Sequence, residues 1–104
     1  MFTFVESKYF ERSLPYYMDD DDYSELQMFL VNHPDAGDIV PGSGGVRKLR
    51  WGTQNKGKRG GLRVIYYVRY NPNEIWLLAL YSKSRQGNAP AHILKRLKEE
   101  MEDE

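Results

Sequence analysis

Cations sit at strand-like spacings in the apolar middle of this chain. In "VRKLRW", Val46 to Trp51, Lys48 and Arg50 fall two residues apart. In "LRVIYYVRY", Arg63, Tyr67 and Arg69 share one parity, and Lys83 follows "EIWLLALYS" on the parity of Tyr81. A strand alternates its side chains with period two, so each set belongs to one face. The linking segment "GTQNKGKRGG" adds Lys56, Lys58 and Arg59. Crowded cations repel one another unless an anion comes between them. Arginine matches phosphate with paired hydrogen bonds, lysine adds a point charge, and interleaved tyrosines can stack on bases. The pattern therefore points to a phosphate or nucleic-acid surface.

The plainer reading is a solvated sheet face whose charged edges discourage strand addition. Two features count against it. From Ile39 to Lys98 there are thirteen basic residues and one acidic residue, Glu74, whereas residues 1–38 hold nine acidic residues and two basic ones. The formal net charge of zero hides that asymmetry, and such a field draws polyanions to one surface. Arg63 also opens a strand that otherwise reads as buried, where an unpaired guanidinium costs several kcal/mol, of order 3–5.

The elements that must carry these residues follow from pattern. At 104 residues the chain is a single domain, 1–104. Hydrophobic residues at 40% are enough for a core. "MFTFVES" alternates as a short strand, and Ser7 caps a helix that Pro15 should end or kink. "DDDDYSELQMFLVNHP" reads as a second helix with Tyr23, Leu26 and Leu30 on its inner stripe and Pro34 as its stop. "PGSGG" is a turn, "VRKLRW" a strand and "GTQNKGKRGG" a mobile loop. "LRVIYYVRY" and "EIWLLALYS" form a central hairpin across "NPN". "PAHILKRLKEEME" is a helix with Ile93, Leu97 and Met101 on one stripe. The order predicts an α+β fold: a small antiparallel-dominated sheet with two N-terminal helices and a C-terminal helix, all on one face. Lys48, Arg50, Arg63, Tyr67, Tyr81 and Lys83 then share the open face, with Lys56, Lys58 and Arg59 at its rim.

Other chemistries find less support. There are no cysteines, so no disulfide framework, thiol nucleophile or cysteine zinc site. "MFTFVESKYF" lacks the basic start and apolar run of a signal peptide. The apolar run Ile75 to Tyr81 is too short to span a bilayer. A soluble cytoplasmic protein is expected. Asp19 to Asp22 lack the glycine and ligand spacing of a calcium loop and suit a helix N-terminus instead, so no metal or cofactor is expected. His33 reads as a helix terminator. His92 lies on the last helix, at the surface or toward the open face.

"NHPDAGDIVPGSGGVRKLRW", "GKRGGLRVIYYV" and "LLALYSK" together resemble the RelE/HigB group of type II toxin–antitoxin toxins. The likeness is closest to the HigB-like branch, with its G-K-R-G-G-x-R-[VI]-I-Y-Y signature, and covers Asn32 to Lys83. The flanking helices agree in order and length. The resemblance implies a RelE-like, metal-free endoribonuclease that cleaves mRNA in the ribosomal A site. It also implies a cognate antitoxin, usually of helix-turn-helix type, that joins the monomeric toxin in a hetero-oligomer. By position, Lys48, Arg50, Arg63 and Lys83 match the family's catalytic cations. Lys56, Lys58 and Arg59 match its basic loop, and Arg47, Tyr67, Tyr81 and Arg85 complete the expected RNA-binding set.

The chemistry is compatible with such a site. Metal-free RNA cleavage uses the substrate's own 2′-OH, so the enzyme must loosen that proton, neutralise the phosphorane and assist the leaving oxygen. Arg63 is the first candidate for the non-bridging oxygens. Lys48 or Lys83 can act as base or acid where neighbouring cations depress its pKa. Tyr67 or Tyr81 can stack or donate a proton. One departure stands out: "SRQGNAP" follows "YSK" where relatives often carry an acid, which leaves that role vacant. Two alternatives stay open, a ParE-like gyrase inhibitor and a decayed module that only binds RNA or an antitoxin.

Overall fold

A computed structural model describes residues 1–53, 58–86 and 89–103, with backbone alone for 53, 58–60, 85 and 86. The elements run β1 (Thr3–Glu6), α1 (Lys8–Tyr17), α2 (Asp20–Asn32), β2 (Asp38–Ile39), β3 (Arg47–Thr53), β4 (Lys58–Arg69), β5 (Glu74–Ser82), α3 (Lys83–Gln86) and α4 (Ala91–Glu102). The five strands form one mixed sheet in the order β1-β5-β4-β3-β2. β1 pairs with β5 in parallel and every other pairing is antiparallel. The α+β class and the central β4–β5 hairpin are as the sequence pattern predicts.

The starts of α1 and α2 have local causes. The Ser7 hydroxyl accepts from the Phe10 N–H at 3.0 Å and donates to the Leu78 carbonyl at 2.6 Å. One side chain thus caps α1 and ties it to β5. Asp19 and Asp22 form a capping box at α2: the Asp22 N–H donates to Asp19 at 2.8 Å, and the Asp19 N–H donates back to Asp22 at 3.3 Å. The aspartate run is accounted for by this helix start. α1 runs two residues past Pro15, so the proline does not end it.

The two faces of the sheet are covered differently. α1 and α2 seal one face with Phe10, Leu26 and Leu30 over Leu49, Leu62, Val64, Tyr66, Ile75 and Leu77. On the other face Val46, Ile65, Trp76, Leu78 and Tyr81 cluster with Leu94 of α4, and Leu97 and Met101 pack against them. Helices therefore lie on both faces, which corrects the expectation of one open face. The inner stripe of α4 is Leu94, Leu97 and Met101, while Ile93 is exposed. The apolar residues of β4 and β5 occupy both parities, so both faces needed cover.

Three further differences arise from backbone pairing. β3 extends to Thr53 and β4 begins at Lys58, so most of the expected loop is strand. β2 is a two-residue strand held by Asp38 opposite Lys48 and Ile39 opposite Arg47. α3 is a four-residue helix where β5 stops, so Lys83 does not continue the strand.

The segment after α2 is fixed by a buried tyrosine. The Tyr66 hydroxyl donates to the Pro34 carbonyl at 2.9 Å and accepts from the Gly37 N–H at 2.8 Å. A side chain at Gly37 would meet the Tyr66 ring at 2.9 Å, so only glycine lets the backbone approach this closely. Burial raises the Tyr66 phenol above its ordinary pKa, against the lowering effect of the Gly37 N–H.

Candidate nucleic-acid interface

The register decides which expected site residues meet. Arg50 lies opposite Arg63 across β3–β4, and Arg63 lies opposite Tyr81 across β4–β5. Lys48 lies opposite Ile65 on the same face. Adjacent strands are about 4.8 Å apart, so Lys48, Arg50 and Arg63 form a compact cationic group on the face that α4 only partly covers. Arg50 is exposed and Lys48 half-buried. Arg63 is 4% exposed, and its guanidinium donates to the Leu62 carbonyl at 3.1 Å. The arginine expected to touch an anion first is thus set beneath the surface, and Arg50 is the outer one.

The tyrosines have other tasks. Tyr81 is buried in the cluster under α4 and lines a cavity of about 280 Å³ between α1 and α4. Tyr67 packs its ring against Trp76, with centroids 5.6 Å apart, and Lys98 Nζ stands 4.8 Å from its ring centroid. Burial removes Tyr81 from stacking on a base, whereas Tyr67 stays half-buried with its ring engaged by Trp76 and Lys98.

Arg47 is on the wrong face for the site. Its guanidinium donates to the Gly37 carbonyl at 2.7 Å and the Asp35 carbonyl at 3.2 Å, on the side of α2. It braces the segment that Tyr66 holds, and does not belong to the cationic group. Lys83 is exposed at the start of α3. Lys58 and Arg59 lie in the first residues of β4, and Arg85 in α3, while Lys56 lies outside the described residues. The side chains of Lys58, Arg59 and Arg85 also lie outside what is described.

One cation was missed by strand parity. Lys98 of α4 donates to the Gly44 carbonyl at 3.0 Å, at the turn leading into β3, and Lys95 lies beside the same turn. Their i, i+3 spacing on a helix was the available signal. His33 caps α2 with its ring 5.1 Å from Phe29, and His92 is exposed on α4. Among the described residues no three of His, Cys, Asp or Glu converge as a metal-ligand set, and no helix is long and apolar enough to cross a membrane. A scan against protein-family models finds no match for the chain.

Proposed function

We propose that this protein is a RelE/HigB-like toxin with the RelE-like fold. On this reading it acts in the cytoplasm as a metal-independent endoribonuclease on ribosome-bound mRNA, and an antitoxin protein restrains it. The observation that carries the reading is the convergence of Lys48, Arg50 and Arg63 on one sheet face from two paired strands. Arg50 and Lys48 meet the scissile phosphate, and Arg63 adds charge from below as the phosphorane forms. Lys83, at the end of β5, is the candidate to protonate the leaving oxygen. Primer-extension mapping of cellular mRNA after induction of this protein alone tests the reading. Discrete cuts are expected, and Arg50→Ala should weaken them by about 10²–10³-fold, as loss of one transition-state donor does. Uncut mRNA with undiminished growth arrest would overturn it.

A second reading is favoured by the burial of Tyr81, which removes one proton donor from the surface. On that reading the face grips RNA without cutting it. Salt-sensitive RNA binding with no cleavage on translating ribosomes would select it.

A further inference from the structure

β2 covers only the first two residues of β3, and among the described residues nothing pairs with β3 from Leu49 onward on that side. The Val40 N–H donates to the Val46 carbonyl at 2.8 Å, which sets the direction of the Val46 backbone groups toward β2. In an antiparallel ladder alternate residues point the same way, so Lys48 and then Arg50 also face that side. Lys48 is opposite Asp38, whereas the Arg50 N–H and C=O stand on an open edge.

We propose that this edge takes an added strand: an extended, acidic segment of a protein partner, continuing the line of β2 past Arg50. Main-chain hydrogen bonds supply affinity in such additions, and alternate side chains supply selectivity. On one side of the added strand lie Lys48 and Arg50. On the other lie Leu49 and Trp51, whose ring sits 5.2 Å from that of Phe29. The partner segment therefore alternates acidic and apolar residues. A second copy of this chain is a poor occupant. Pairing edge to edge sets Arg50 near Arg50, and like charges on facing strands repel. The chain's own acidic runs are helical in α2 and α4, and its other edge strand, β1, offers the single acid Glu6. β1 has an outer edge too, but it carries Glu6 and no cation. The inference stands on the sheet edge and not on RNA cleavage, so it can fail or hold separately.

The test uses the full chain and two synthetic octapeptides, alternating valine–glutamate and alternating valine–lysine, with residue-resolved amide exchange. The glutamate peptide should slow exchange at the Arg50 amide and bind about tenfold or more tightly than the lysine peptide, which corresponds to about 1.4 kcal/mol. Arg50→Pro removes the outward N–H at an edge position that tolerates proline, and should weaken binding of the glutamate peptide about tenfold or more; unchanged affinity would overturn the proposal. Arg50→Ala should keep the protection with weaker binding. No binding would overturn the proposal. So would protection at Phe4 and Glu6 on β1, or binding by the glutamate peptide that leaves the Arg50 amide unprotected. The last outcome marks simple attraction to the cationic face.

Discussion

The two faces of this sheet are built to different standards. Under α1 and α2 lies the larger buried apolar cluster, and the polar groups there are spoken for: Tyr66 by Pro34 and Gly37, Arg47 by two carbonyls, Ser7 by Phe10 and Leu78. Under α4 the cover is partial. Leu97 and Met101 are half-buried, cavities of about 260 and 280 Å³ lie between α1 and α4, and cations hold the uncovered end. The difference separates the more completely packed half of the sheet from the half that leaves Arg50 exposed. Charge is concentrated where packing is least complete.

The largest effect that would break this contrast is on stability. Leu26→Ala should cost about 3–4 kcal/mol and Leu97→Ala only about 1 kcal/mol, because a buried leucine loses transfer energy and leaves a cavity. Urea unfolding of the two variants measures the gap. Equal losses would mean that both faces are equally structural.

Tyr66→Phe sharpens the comparison within the sealed face. It removes the donor to Pro34 and the acceptor for Gly37, and should cost about 1–3 kcal/mol. It also predicts a pH dependence. Burial holds the Tyr66 pKa above its value in the unfolded chain, as burial and the Glu6 carboxylate do for Tyr23. The folded state then binds these protons more tightly. That stabilisation is fully present below the unfolded tyrosine pKa of about 10 and is lost as pH rises through the folded value. Unfolding midpoints measured between neutral pH and strong alkali should fall less steeply for Tyr66→Phe than for the parent protein.

The smallest effect belongs to the partly covered face. Lys98→Met removes a hydrogen bond to Gly44 and the contact over Tyr67, and should cost at most about 1 kcal/mol. Its signature is faster amide exchange in α4 with little change in the global unfolding midpoint.

Much of the sealed half was legible in the sequence. Leu26 and Leu30 carry helical periodicity, the aspartates announce a helix start, and "NPN" announces a hairpin, because each is a local rule. The α4 face was less legible. Ile93 and Leu94 are neighbours of equal apolarity, and only the approach of the helix to Val46, Ile65 and Trp76 selects Leu94. Parity put Lys48 and Arg50 on one face of their strand, since strand alternation is also local, but that Arg63 shares this face follows only from the β3–β4 register. Parity could not reveal that Tyr67 and Tyr81 lie beneath a helix, because that depends on contacts distant in the chain. Arg47 was misjudged for a related reason: composition records its charge and not the carbonyls of Asp35 and Gly37 that occupy it.

Arg47 and Lys48 are consecutive, alike in charge, and turned to opposite sides of the same strand. A genetic screen that scores only lost activity would group their substitutions as one hot spot. Under the proposed function, the Arg47 alleles would be defects of accumulation, recoverable by lower growth temperature, and the Lys48 alleles defects of a folded protein. Two neighbouring codons would then answer to separate selection pressures, one for making the molecule and one for using it.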